Sequence, residues 1–147
     1  MSKAGLSVII NVDGGARGNP GPAGAGVIVK DAADGEVLFA GGFFLGRATC
    51  NQAEYNGLLN ALRQAKTLGA QAVEIVSDSE LMVKQMNGEY RVKNEGLREL
   101  YGRANQLCRD FKQCRFLHVP REQNAEADKL VNQAINLARN VGDAAEG

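Results

Sequence analysis

Neither sign of charge is in excess in this chain. Its 17 Lys and Arg balance 17 Asp and Glu, for a formal net charge of zero. Taken alone, that argues against a nucleic-acid partner, whose binding rests mainly on basic contacts to phosphates. Cysteine is sparse and odd in number. Cys50, Cys108 and Cys114 show no C-x-x-C spacing, which argues against a disulfide framework or a zinc site and leaves partly buried free thiols. Histidine occurs once, as His118. The Gly-rich stretch GNPGPAGAG lacks the Gly-Lys-Ser/Thr ending of a P-loop and a full GxGxxG. The short apolar run near the N-terminus is too brief to span a bilayer and has no small-residue cleavage site. A soluble, cytoplasmic protein with no membrane partner is expected. No linker, repeat or low-complexity stretch interrupts the 147 residues. One domain over 1–147 is expected, with 142–147 as a mobile tail.

The neutral total hides an uneven distribution. Residues 84–115 carry eight basic side chains against four acidic ones, whereas 1–83 and 116–147 are each acidic by two. The middle segment is either a solvated helical face or a stripe for an anionic partner.

Periodicity supplies an outline of the fold. The β-branched run at 6–12 reads as a strand stopped by Gly14-Gly15, and GAGVIVKD and EVLFAGGFFL read as a hairpin around AADG. TCNQAEYNGLLNALRQAKTLG has helical spacing and closes at Gly69. AVEIVS (72–77) is a short apolar strand, followed by helices at 79–87 and from Asn94, a strand at 114–119, and a last helix carrying Ala127, Leu130, Val131, Ala134, Leu137, Ala138 and Val141 on one face. The order β-β-β-α-β-α-α-β-α implies an α/β fold with a five-stranded mixed sheet flanked by helices.

Four acids stand where those elements begin or end: Asp13, Glu54, Asp78 and Asp128. Each also has a purely structural use. Asp13 suits an Asp-Gly turn, Asn51 and Glu54 approach a capping box, Asp78 suits an N-cap, and Asp128 suits the dipole of a helix N-terminus. A single site accounts for all four together. Gathered carboxylates repel unless a cation sits among them, and all-oxygen donors suit Mg²⁺ or Mn²⁺. Such ions activate water and stabilise charge at a phosphodiester, which points to a metal-dependent nuclease.

With these acids placed, DGGARGNPGPAGAG, GRATCNQAEYNGLL, SDSELMVKQ and REQNAEADKLVNQA together resemble the ribonuclease H type 1 family, over about residues 3–141. The likeness is to its compact branch, with last loop VPREQN. The resemblance implies a ribonuclease H-like fold and endonucleolytic cleavage of the RNA strand of an RNA/DNA hybrid, leaving 5′-phosphate and 3′-hydroxyl ends. It implies two Mg²⁺ ions, with Mn²⁺ as a substitute. Asp13 would bridge them, Glu54 and Asp78 would complete one site, and Asp128 the other. Asn19, Asn51 and Glu54 match positions that read the RNA 2′-hydroxyl, and Arg47, Thr49 and Asn94 match a pocket for a DNA phosphate.

The chain departs from the family in several places. QMNGEYRVKNEGL joins two helices directly, where many members carry a basic protrusion, and no extra hybrid-binding domain is expected before residue 1. Glu80 replaces a common Gln. The loop His of many members is missing, and His118 reads as structural. Arg121 is favoured over Glu122 as its substitute, a permanent cation at the leaving group. Other expectations remain: a non-catalytic hybrid- or double-stranded-RNA-binding module, or another nuclease of the same fold. A monomer is the default.

Overall fold

The computed structural model describes residues 5–145. Three antiparallel strands open the fold: β1 (Ser7–Ala16), β2 (Gly21–Asp31) and β3 (Val37–Ala48). Helix α1 (Cys50–Thr67) leads to β4 (Ala72–Ser77), which lies parallel to β1. Helices α2 (Glu80–Met86) and α3 (Glu95–Cys108) then lead to β5 (Gln113–His118), parallel to β4. A 3₁₀ turn (Arg121–Asn124), helix α4 (Ala125–Leu137) and the two-residue strand β6 (Val141–Gly142) complete the order. The sheet runs β5-β4-β1-β2-β3-β6.

The sheet has two covered faces, and the period-2 alternation of β1 assigns its residues between them. Val8, Ile10 and Val12 point into the main core with Leu58, Leu59 and Leu62 of α1 and Leu97 and Ala104 of α3. Residues Ile9, Asn11 and Asp13 point to the opposite face of the sheet, where α4 packs mainly on β2 and β3. That helix buries Ala127, Val131, Ala134 and Ile135.

Two backbones approach the sheet so closely that only glycine fits beneath them. A Cβ on Gly14 would stand 2.5 Å from the Glu54 nitrogen, with the Ala53 carbonyl beside it. A Cβ on Gly26 would land on the Ala127 carbonyl oxygen, 3.0 Å from its carbonyl carbon. Gly26 is the register partner of Asp13. Both Gly14 and Gly26 therefore lie within one residue, or one strand, of the first acid.

Several local expectations change. Gly14-Gly15 do not stop the first strand. β1 continues to Ala16, paired with Ala23, and the reversal falls at Arg17–Gly21, where the Arg17 N–H donates to the Pro22 carbonyl at 2.9 Å. Gly14 is small for packing rather than for turning. The last helix is shorter than its apolar face suggested. Ala138 takes a left-handed φ of 51° and ends it, Leu137 is 53% exposed, and Val141 belongs to a strand. That strand makes the sheet six-stranded rather than five-stranded. Residues 142–145 lie along the outer edge of β3. Gly142 pairs with Gly41, and the Ala40 N–H donates to Asp143 Oδ2 at 2.9 Å. Residues 146 and 147 lie outside the described residues.

A direct comparison tests the close approach. Gly14→Ala should destabilise the fold by about 1–3 kcal/mol, because helix and strand backbones must part. At neighbouring Gly15 a new Cβ would meet only Val131 Cγ1 at 3.6 Å, so Gly15→Ala should change stability by less than about 0.5–1 kcal/mol. Urea unfolding measures both; equal costs would contradict the packing account.

Candidate active site

Asp13 and Asp78 are placed by strands and Glu54 and Asp128 by helices. Asp13 lies on β1 and Asp78 just beyond the end of parallel β4, the edge at which α/β sheets gather ligand sites. Glu54 lies in the second turn of α1, brought in by the Gly14 contact. Asp128 lies in the first turn of α4, one residue past the Ala127 contact with Gly26. The Asp13 carboxyl interacts by hydrogen bond and by charge with both Asp128 and Asp78. Asp78 in turn raises the Glu54 carboxyl through its charge. The four acids form one connected group.

The capping uses proposed for two of these acids are taken by neighbours. The capping box of α1 is Thr49 with Gln52: the Gln52 N–H donates to Thr49 Oγ1 at 3.1 Å, and the Thr49 N–H to Gln52 Oε1 at 2.9 Å. Asn51 is left exposed, and Glu54 has no capping role. The N-cap of α2 is Ser79, which accepts from the Met82 N–H at 3.2 Å, not Asp78. Asp13 sits inside a strand, not in a turn.

Two neutral groups that the sequence reading missed hold the acids. Ser79 Oγ donates to Glu54 Oε1 at 3.0 Å. Asn124, only 2% exposed, donates from Nδ2 to the Val12 carbonyl at 2.8 Å and to Asp78 Oδ1 at 3.2 Å. Its orientation is fixed from the other side, since Asn11 Nδ2 donates to Asn124 Oδ1 at 3.0 Å. One buried carboxamide thus ties the strand carrying Asp13, the Asp78 carboxylate and the entry to the helix carrying Asp128. The visible signal was Asn11, a polar residue within an otherwise apolar strand. Asn124 lay in the polar run REQN and had no signal of its own.

Burial and crowding leave two carboxyls reluctant to ionise. The Asp13 pKa rises from 3.8 to about 8, first through desolvation, then through the charges of Asp78 and Asp128 and their hydrogen bonds. Glu54 rises from 4.5 to about 7, again mainly through desolvation; the Ser79 hydroxyl opposes the rise and Asp78 adds to it. Among the described residues, no three Asp, Glu, His or Cys side chains stand as a finished metal shell. Glu54 is turned to Ser79, and Asp78 to Asn124. The fit to a cation lies in the donor chemistry and in this frustration: four oxygen-only groups crowd together, and a divalent ion would relieve their mutual repulsion.

The remaining residues fall around this centre. Arg121 Nε is 3.8 Å from Asp78 Oδ2, and its side chain is 83% exposed. Glu122 instead borders a small cavity with Asn11, Ile28 and Lys30. His118 ends β5 opposite Ser77 and is exposed rather than packed inside. Asn19 Oδ1 accepts from the Cys50 N–H at 3.0 Å, tying the Gly-rich loop to the start of α1. Exposed Arg47 pairs in register with Pro22. Thr49 and Asn94 cap α1 and α3, whose bodies pack together. Glu80 points to solvent and meets Lys84 at 3.5 Å.

A family model described as reverse transcriptase-like matches residues 11–134. The bifunctional protein Rv2228c of Mycobacterium tuberculosis is 44% identical over 133 residues, which are 90% of this chain and 36% of that protein. The chain thus spans about a third of the length of the mycobacterial relatives it matches. The crystal structure of RNase H1 from Halobacterium salinarum superposes with a TM-score of 0.86 at 40% identity, covering 88% of this chain and 98% of that one. LC11-RNase H1, isolated from compost and solved in complex with an RNA/DNA hybrid, gives a TM-score of 0.84 at 43% identity, covering 89% and 98%.

The raised carboxyls set the sign of a pH dependence. The folded state keeps protons on Asp13 and Glu54 that the unfolded chain releases, so their stabilising contribution is complete near pH 4 and is lost as pH rises toward 7–8. In buffer free of divalent ions, Tm should fall between pH 5 and pH 8. Asp13→Asn should flatten that slope and stabilise the protein at pH 8 by on the order of 2 kcal/mol. A wild-type Tm that rises over this range, or a slope in Asp13→Asn as steep as in the wild type, would refute the assignment.

Proposed function

The chain belongs to the type 1 ribonuclease H family, and from that premise we propose that it is an endoribonuclease cutting the RNA strand of an RNA/DNA hybrid. The observation that carries the proposal is Asp13, 8% exposed and with its carboxyl pushed up to about 8 by burial and by Asp78 and Asp128. A protein that only bound hybrid would have no use for so unfavourable a cluster.

Asp13, Glu54, Asp78 and Asp128 would hold two Mg²⁺ ions, with Mn²⁺ as a substitute. Asp13, whose carboxyl feels both Asp78 and Asp128, would be the shared ligand. Bound divalent ions supply an activated water and neutralise charge developing at the phosphodiester, giving 5′-phosphate and 3′-hydroxyl products. Asn124 and Ser79 hold Asp78 and Glu54 near the centre, and these two carboxylates would turn toward a bound ion to complete its shell. Arg121, exposed beside Asp78, is placed to meet the leaving group or product as a permanent cation. Of the two, Arg121 is the one paired with an acid of the cluster, Asp78, which favours it for this role.

Substrate selection follows from what surrounds the acids. Asn19 and exposed Asn51, at the entry to α1, would meet the 2′-hydroxyls displayed in the shallow minor groove of the hybrid. Thr49 and Asn94 cap two packed helices whose N-terminal N–H groups favour an anion. With Arg47 nearby, they would hold a phosphate of the DNA strand. The basic surplus over 84–115 adds a diffuse, salt-sensitive attraction. We place the enzyme in the cytoplasm, where thiols stay reduced, and take it to act as a monomer.

The test uses a labelled hybrid with Mg²⁺ and then Mn²⁺, alongside matched RNA and DNA duplexes. Only the RNA strand of the hybrid should be cut, and Asp78→Asn should lower the rate by at least ~100-fold. In the same assay Arg121→Ala should reduce turnover by on the order of tenfold while leaving metal affinity nearly unchanged. Hybrid bound but left intact with either ion would favour a pure binding module, and cleavage of DNA would favour another nuclease of this fold.

A further inference from the structure

The three cysteines are unbonded thiols, yet two of them are not independent. Cys108 closes α3 and Cys114 is the second residue of β5, and their sulfurs lie 3.0 Å apart. The chain between them is held at several points. The Phe111 N–H donates to the Cys108 carbonyl at 3.2 Å, the Lys112 N–H donates to the Gln71 carbonyl at 2.8 Å, and Asp110 meets Lys66 at 2.9 Å. Phe111 is itself buried. The fold, rather than a chance rotamer, brings the two sulfurs together. Both thiols are only half-buried and within reach of a small reagent. Cys50 stands apart, with its Sγ directed at the Ala16 carbonyl at 3.8 Å.

We propose that Cys108 and Cys114 form a thiol–disulfide exchange site, closing reversibly into an intramolecular disulfide when they meet a low-molecular-weight disulfide such as oxidised glutathione. Cys108 is the suited attacker. It accepts the S–H hydrogen bond of Cys114, which favours its thiolate and keeps the proton on Cys114. The Cys108 thiolate attacks one glutathione sulfur, that S–S bond breaks, and a glutathione thiolate leaves. Cys114 then gives up its proton, and its sulfur attacks the mixed disulfide at Cys108 and expels the second glutathione. Two electrons pass from the protein dithiol to the glutathione disulfide, which becomes two thiols. The new bond would staple α3 to β5. Cys114 pairs in register with Val73, at the far end of β4 from Ser77 and Asp78, so the staple acts on stability rather than on the four acids.

The whole chain is equilibrated across a series of reduced and oxidised glutathione mixtures, quenched by alkylation and weighed intact, with peptide mapping of the bond. A single Cys108–Cys114 disulfide is expected, with Cys50 alkylated and no glutathione retained. The oxidised protein should melt roughly 5 °C or more above the reduced one, as loop closure restricts the unfolded chain. Cys108→Ser and, separately, Cys114→Ser should abolish the intramolecular bond and the Tm difference, while Cys50→Ser keeps both. Three alkylatable thiols throughout the series, stable mixed disulfides alone, or a bond that uses Cys50 would each overturn the proposal.

Discussion

Everything at the acidic centre depends on how closely two helix backbones can approach β1 and β2. At Gly14 the main chain of α1 rests against the strand, with the Glu54 nitrogen 2.5 Å from where a Cβ would be. At Gly26 the Ala127 carbonyl of α4 does the same from the opposite face. Asp13 follows directly from this arrangement, one residue before Gly14 and beside Gly26 in register. A methyl group at either glycine would push its helix outward and carry an acid away with it. The hydrophobic core on the α1 face supplies the force that holds the layers together, but the glycines set the distance at which they stop.

That closeness has an electrostatic cost that the fold does not remove. Asp13 is desolvated and faces two more carboxylates, and its pKa of about 8 expresses both effects. The neighbours that restrain the acids are mostly neutral. Asn124 and Ser79 orient Asp78 and Glu54 by hydrogen bonds without cancelling their charge, and Arg121, the cation beside Asp78, is largely in solvent. Full neutralisation by buried lysines or arginines would favour the resting fold and leave no uncompensated charge for a divalent ion to relieve. A rigid, polar but uncompensated cluster is what a cation-dependent site requires.

The outline of the fold was legible in the sequence because it rests on long periodic segments. The strand at 72–77, the helix from Cys50 and the three-strand opening all have strong periods. The four candidate acids were picked out by their expected places at element ends and the motifs around them, although Asp13 lies inside β1. What was not legible depends on tertiary contact. Gly14-Gly15 carries the local signature of a turn, and only the position of α1 reveals it as a packing surface within a strand. β6 has two residues, too few for any pattern. Thr49 and Ser79 compete with Asn51 and Asp78 as caps one or two positions away, and backbone geometry decides between them. Asn124 is an ordinary loop residue until the fold buries it against Val12 and Asp78.

The central claim is that these four carboxylates form one under-neutralised site that takes up divalent cations. Calorimetric titration of Mg²⁺ into the metal-free protein near pH 7, repeated in buffers of different ionisation enthalpy, tests it most directly. Binding should release protons, because Asp13 and Glu54 must give theirs up, and Asp13→Asn should lose both the binding and the release. Binding with no proton release, or binding undiminished in Asp13→Asn, would contradict the account.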